Sequence, residues 1–440
     1  MLSPDIAFGS RDRLLPPSVP FRFFAAALVF HTVGWLLLAL GGDALAGSRG
    51  GPGTVMAALH LFTLGTLVMT SMGASYQLLP MATVRPVGSV FWAKASFWLA
   101  MPGIALLVAG LATLTHELAC VGGALTALGL LVFAALMVDN LRSAREMPVV
   151  RHHAWAALAS LAVMAGLGIT LLADLRFGFL PDHRSLTGVH LGFALYGFMG
   201  MLVAGFSTIL VPMLVLGQAP PVRLGHAAVL AGVVGLVLLV VGAFVPGRLL
   251  TIAAVLAGLL AAGLHLRAMD GVMRGRMRKR LGTPFLMIRA AWAMLLLSLI
   301  VALSLAAGVD RLNVPTVFVI LAVGGWLLTF LFGVLQRIAP FLASVHITVP
   351  GRRPPLVSAL TPERPVQAHA VLHLSAIALL VAGNLLDIEW IARAGAVSGV
   401  GAAIALIVFA VEVRARALKA LRSDPPAPRP RKPGDLACST

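Results

Sequence analysis

The segment GTLVMTSMGASYQLLP, Gly65 to Pro80, contains the spacing Gly-x7-Gly-x6-Pro, and that spacing occurs three times in the chain. It returns as Gly197, Gly205 and Pro212, and again as Gly325, Gly333 and Pro340. The prolines are 132 and then 128 residues apart, each at the end of an apolar run, so the chain reads as three copies of one unit.

Outward from these segments the chain is apolar almost throughout. It is 59% hydrophobic and 11% charged over 440 residues, a balance that a bilayer can bury and a soluble core cannot. Twelve runs are long enough to span, at about 21–41, 55–79, 91–112, 118–138, 154–174, 187–213, 226–246, 249–268, 285–307, 314–341, 366–386 and 391–412. Twelve runs over three repeats give four helices per unit, with the Gly/Gly/Pro signature on helices 2, 6 and 10. The expected fold is an all-α integral membrane protein of twelve transmembrane helices in three pseudo-repeated four-helix units, at 21–139, 153–270 and 284–412. These lie in a single domain, 1–422, and a proline- and arginine-rich tail, 423–440, is expected to be disordered. No cleavable signal peptide is expected at the N-terminus.

The net charge of +17 is unevenly placed. Loops on the side of the N-terminus hold Arg85, Arg142, Arg151, Arg223, the run Arg274 to Arg280, and the basic tail, while the other side holds few cations. That imbalance puts both termini in the cytoplasm of a bacterial inner membrane. It assigns the basic loop to lipid headgroups and argues against nucleic acid. Cys120 and Cys438 fall on opposite sides of the membrane and cannot pair.

Two glycines eight residues apart lie roughly on one helix face, which lets a neighbouring helix or a flat ligand approach the backbone. Each such helix therefore serves packing, or walls a space that holds a planar cofactor. The proline beyond them kinks or ends its helix. Trp326 and the tryptophans near helix ends are read as membrane anchors.

Histidines inside a bilayer need partners and mark function. Seven of twelve, His116, His152, His153, His183, His226, His265 and His346, fall in loops or at helix ends and read as interfacial. Five remain. His60 lies in the outer third of helix 2 and His190 opens helix 6; a two-residue offset relative to the repeat glycines points them into different spaces. His31 is mid-helix 1. His369 and His373 share a face of helix 11, and His31 and His373 should lie at similar depth. Neutral imidazoles are normal ligands of haem iron, so a pair drawn from His60, His31 and His373, with His369 beside them, is the candidate haem site. Arg337 either pairs with a haem propionate or reaches the cytoplasmic surface. His190 is the candidate for a separate metal. Acidic residues fall at helix ends, which weakens an ion-coupled pump.

The strings HLFTLGTLVMTSMGASYQLLP from His60 and GGWLLTFLFGVLQRIAPFL from Gly324 resemble divergent bacterial members of the haem-copper oxidase subunit I superfamily, near the C-family oxidase subunit and the NnrS membrane proteins. The resemblance implies that His60 ligates a low-spin haem b and that His190 stands near a copper position. The family's paired histidines on helix 7 and its helix 10 histidines are absent, as is the W-H-x-H-E-M signature of NnrS-like proteins. Reduction of oxygen or nitric oxide at a dinuclear centre is therefore not expected. The family's low-spin haem lies among helices 11, 12, 1 and 2, where this chain has His369, His373, His31 and His60. The expected function is a haem-binding membrane protein of electron transfer or nitric oxide-related respiration, with a respiratory redox partner. The alternative is a non-redox transporter or an assembly factor for a respiratory complex.

Overall fold

The computed structural model describes residues 15–48, 50–142, 144, 146–309, 313–347 and 354–423. Among the described residues, twelve helices are long and apolar enough to cross a membrane: α1 Pro20–Leu40, α2 Thr54–Thr83, α3 Val90–Ala112, α4 His116–Arg142, α5 Pro148–Phe177, α6 His183–Val215, α7 Val222–Phe244, α8 Leu249–Arg274, α9 Thr283–Ala306, α10 Val314–Ile347, α11 Glu363–Leu386 and α12 Glu389–Arg422. All twelve expected spans are present, each lengthened or shifted by a few residues. The tail expected to be disordered lies, beyond Ser423, outside the described residues, as do Cys438, Arg352 and Arg353.

The repeat is visible in three dimensions. Helices α2, α6 and α10 form the centre: 67%, 61% and 78% of their apolar windows are buried, against 17–50% for the other nine. They touch one another through Ser71 and Met199 and through the stacked rings of Tyr196 and Trp326, 5.2 Å apart. Trp326 is thus no membrane anchor. It is 4% exposed, and its ring reaches the Gly200 backbone, where a side chain would collide with it.

Each central helix packs on the first helix of its own unit through the repeat glycines. A Cβ on Gly65 would come within 2.6 Å of Phe30 and one on Gly73 within 2.8 Å of Phe23. Gly197 meets Ser160 and Gly205 meets His153, both at 2.7 Å; Gly325 meets Met294 at 3.2 Å and Gly333 meets the Pro284 carbonyl at 2.8 Å. The partners stand seven residues apart on α1 and α5 and ten apart on α9, in each case on the matching face of a second helix. Helix packing therefore fills the glycine faces and leaves no room for a flat ligand against them.

Every central helix also carries a π-helical stretch at the same place: Leu61–Val68, Phe193–Met199 and Ile320–Leu328, each spanning its first repeat glycine. The wide turns shift hydrogen bonding to the fifth residue, and threonine hydroxyls donate to the same carbonyls. Thr66 bonds the Leu61 oxygen at 3.0 Å, and Thr329 bonds the Gly324 oxygen at 2.8 Å. Beyond the prolines, α2 and α6 stop alike, on left-handed Val84 and Leu216, whose N–H groups donate to the Pro80 and Pro212 carbonyls. Helix α10 runs on past Pro340 to Ile347.

The remaining helices form close hairpins. In α3 and α4, a Cβ on Gly129 would come within 2.7 Å of the Ala100 nitrogen, and one on Gly122 would strike the Leu107 nitrogen. Backbone cannot yield as a side chain can, so Gly122→Ala is expected to lower stability by about 1–3 kcal/mol. Gly166→Ala on α5, where nothing lies within 4 Å, is expected to be neutral or stabilising by up to about 1 kcal/mol. Thermal unfolding of both variants in one detergent checks the contrast.

On the side opposite the basic loops, Arg393 of α12 donates to the Leu38, Gly41 and Asp43 carbonyls, while Glu389 accepts from the Leu45 and Ala46 N–H groups. Asp43 then accepts from the Thr54 N–H at 2.6 Å and so caps the start of α2. Those hydrogen bonds to Thr54 hold the Asp43 carboxyl below the ordinary aspartate range. A folded value below the unfolded one adds stability above about pH 4, which is lost as pH falls through the folded value. A pH series of unfolding temperatures is expected to show an acid loss that Asp43→Asn reduces.

Candidate functional site

The five histidines singled out in the bilayer interior fall into two groups. The inner group is His31, His369 and His373, each at most 1% exposed. His31 and His373 lie eleven and ten residues from the starts of parallel helices α1 and α11, about 15 Å in from the arginine-rich side. The equal depth read from the sequence therefore holds. The phenyl ring of Phe332 on α10 stands among the three, with centroids 4.7 Å from His31, 5.0 Å from His369 and 5.6 Å from His373.

Each ring has one committed nitrogen. Trp35 Nε1 donates to His31 Nε2 at 3.1 Å, and Gln336 Nε2 lies 2.9 Å from His369 Nδ1, to which it donates. The Thr329 hydroxyl, having given its hydrogen to Gly324, accepts from His373 Nε2 at 2.9 Å. The other nitrogens, His31 Nδ1, His369 Nε2 and His373 Nδ1, are buried without a partner. These partners set the tautomers: His31 and His369 turn N–H groups into the interior, and His373 turns a lone pair there.

A haem does not fit this inner group. Phe332 fills the space between the rings, and the lone pair of His31 is taken by Trp35. The rings thus present two N–H groups and one lone pair around Phe332, all three buried and without a partner.

The outer group is His60 and His190. Expected to face different spaces, they lie within electrostatic reach of each other. Helices α2 and α6 run parallel and touch at Ser71 and Met199. Counting back eleven residues to His60 and nine to His190 gives both a similar height. Their rings nonetheless take different partners: His60 bonds a carbonyl of its own helix, while His190 turns to the Met164 carbonyl of α5. His60 is therefore not part of the cluster of His31, His369 and His373 with which it was expected to gather.

Both outer rings are anchored alike. His60 Nδ1 donates to the Met56 carbonyl and His190 Nδ1 to the Met164 carbonyl, each at 2.9 Å. The second bond crosses from α6 to α5 where Gly168 lacks a side chain; a Cβ there would come within 3.2 Å of His190 Cε1. With Nδ1 donating, each Nε2 presents a lone pair, and neither has a hydrogen-bond partner among the described residues. Backbone anchoring of the distal N–H is how metal-bound histidines are commonly oriented. Leu59, Thr63, Leu64, Thr187 and Leu191 nearby are half-buried, so the pair lies at the edge of the packed core. Among the described residues, no three His, Cys, Asp or Glu side chains are placed to hold a metal ion together.

Arg337 lies toward the arginine-rich end of α10. It donates to the Leu281 carbonyl, and its guanidinium lies over the Phe285 ring at 5.9 Å. It contacts neither histidine group in the described structure.

Sequence reasoning missed a third set. His153 and His265, read as interfacial, are 2% and 8% exposed. Helix α5 begins at Pro148, ahead of its apolar run, and so takes in His153; His265 stood within the expected run 249–268 and is covered by other helices. Phe332 was also missed, since one phenylalanine in an apolar helix gives no signal.

No known family model matches the chain, and no curated protein matches it.

Proposed function

We propose that the chain is a haem-binding membrane protein on an oxidase-like scaffold, with His60 as an iron ligand and His190 beside it, serving electron transfer in the bacterial inner membrane. One observation carries this reading: both rings are held by backbone carbonyls in the tautomer that offers Nε2 to a metal. The residue resemblance places its haem-ligand position at His60 and its copper position at His190, so both arguments select the same side chains. A bound haem would supply one-electron chemistry. The protein's own contribution is to fix the two imidazoles and to withhold acidic groups; with no third ligand from the described residues, oxygen reduction is not proposed. The test is the optical spectrum of the purified chain and of its His60→Ala and His190→Ala variants. Absence of any haem band would overturn the reading.

Three buried nitrogens without partners favour a second, non-redox reading: carriage or sensing of a small polar solute by His31, His369 and His373. Two N–H groups and one lone pair around Phe332 would recognise such a molecule, and isotope-labelled solute uptake into proteoliposomes tests it.

A further inference from the structure

On the arginine-rich side of the middle unit, His152 of α5 and His226 of α7 lie ring to ring, with centroids 4.9 Å apart and planes at 54°. An imidazole nitrogen binds a divalent transition metal at about 2.0–2.1 Å, so two adjacent ligands of one four- to six-coordinate ion have ring centroids about 4.5–5.2 Å apart. The observed separation falls within that interval. His226 Nε2 is buried and has no hydrogen-bond partner, and no hydrogen bond holds His152, which is exposed.

The surroundings select the class of ion. Arg151, next in sequence, turns its guanidinium to the Ala144 carbonyl at 2.9 Å. His153 points the other way, its Nδ1 donating to the Val149 carbonyl and its Cβ lying against Gly205. An all-imidazole donor set favours zinc, cobalt, nickel or copper and disfavours magnesium and calcium.

We propose that His152 and His226 form an open two-imidazole site for a divalent transition metal, with water or a solute ligand completing the coordination. The site pins the cytoplasm-facing starts of α5 and α7 together and is separate from the His60 and His190 pair. Co2+ titration of the metal-free full-length chain in detergent, read by visible absorption and equilibrium dialysis, tests it. The expected result is one equivalent fewer bound in His152→Ala, an exposed position whose loss leaves the fold intact, and the same loss in His226→Ala. Zn2+ should displace the Co2+ and excess Mg2+ should not. The His60→Ala, His190→Ala double variant should keep this equivalent. Unchanged stoichiometry and spectrum in His152→Ala would overturn the proposal.

Discussion

A reduced-minus-oxidised spectrum of the detergent-purified chain is expected to show a haem band that His60→Ala abolishes. His190→Ala is expected to cut haem retention by at least about tenfold, the lower end of what even an outer-shell change does at a metal site. The reason is local. Each imidazole is tethered through Nδ1 to a carbonyl of a rigid helix, so its Nε2 is aimed before any ligand arrives. His31→Ala and His373→Ala are expected to leave the band in place, since their rings enclose Phe332 and not an open space. Met164, whose carbonyl holds His190, lies beside a gap kept by Gly168. A band that survived His60→Ala but vanished in His373→Ala would move the cofactor to the inner chamber and refute the assignment.

Phe332→Ala is expected to lower stability by about 3–5 kcal/mol, the range for removing a buried phenyl ring. Phe332 is 1% exposed and supports three imidazoles at once, so its loss takes away their shared apolar neighbour as well as its own contacts. Unfolding in detergent against increasing denaturant measures the change. A loss below about 1 kcal/mol, the ordinary size for a surface position, would show that the chamber is loosely packed.

The twelve spans and the three units were legible because apolar length and glycine spacing report directly on bilayer thickness and helix contact. The shared depth of His31 and His373 was legible too, since parallel helices entered from one surface convert residue count into height. Three things were hidden. A wide turn leaves no compositional trace, so the π-helical stretches at Leu61, Phe193 and Ile320 could not be read. How near His60 and His190 come depends on how neighbouring helices pack, and a repeat in sequence does not give that. His153 was set aside because the apolar run ends before helix α5 does, and His265 because a place near the end of a run does not tell whether lipid headgroups or other helices cover it.

The recurring π-helical stretches also set a phase relation. Each central helix is in effect two rods joined through one surplus residue, and that residue fixes the angle between them. His60 and His190 stand on the rod before the joint; Pro80 and Pro212 stand on the rod after it. The azimuth of both imidazoles is therefore written into backbone winding several residues away from them.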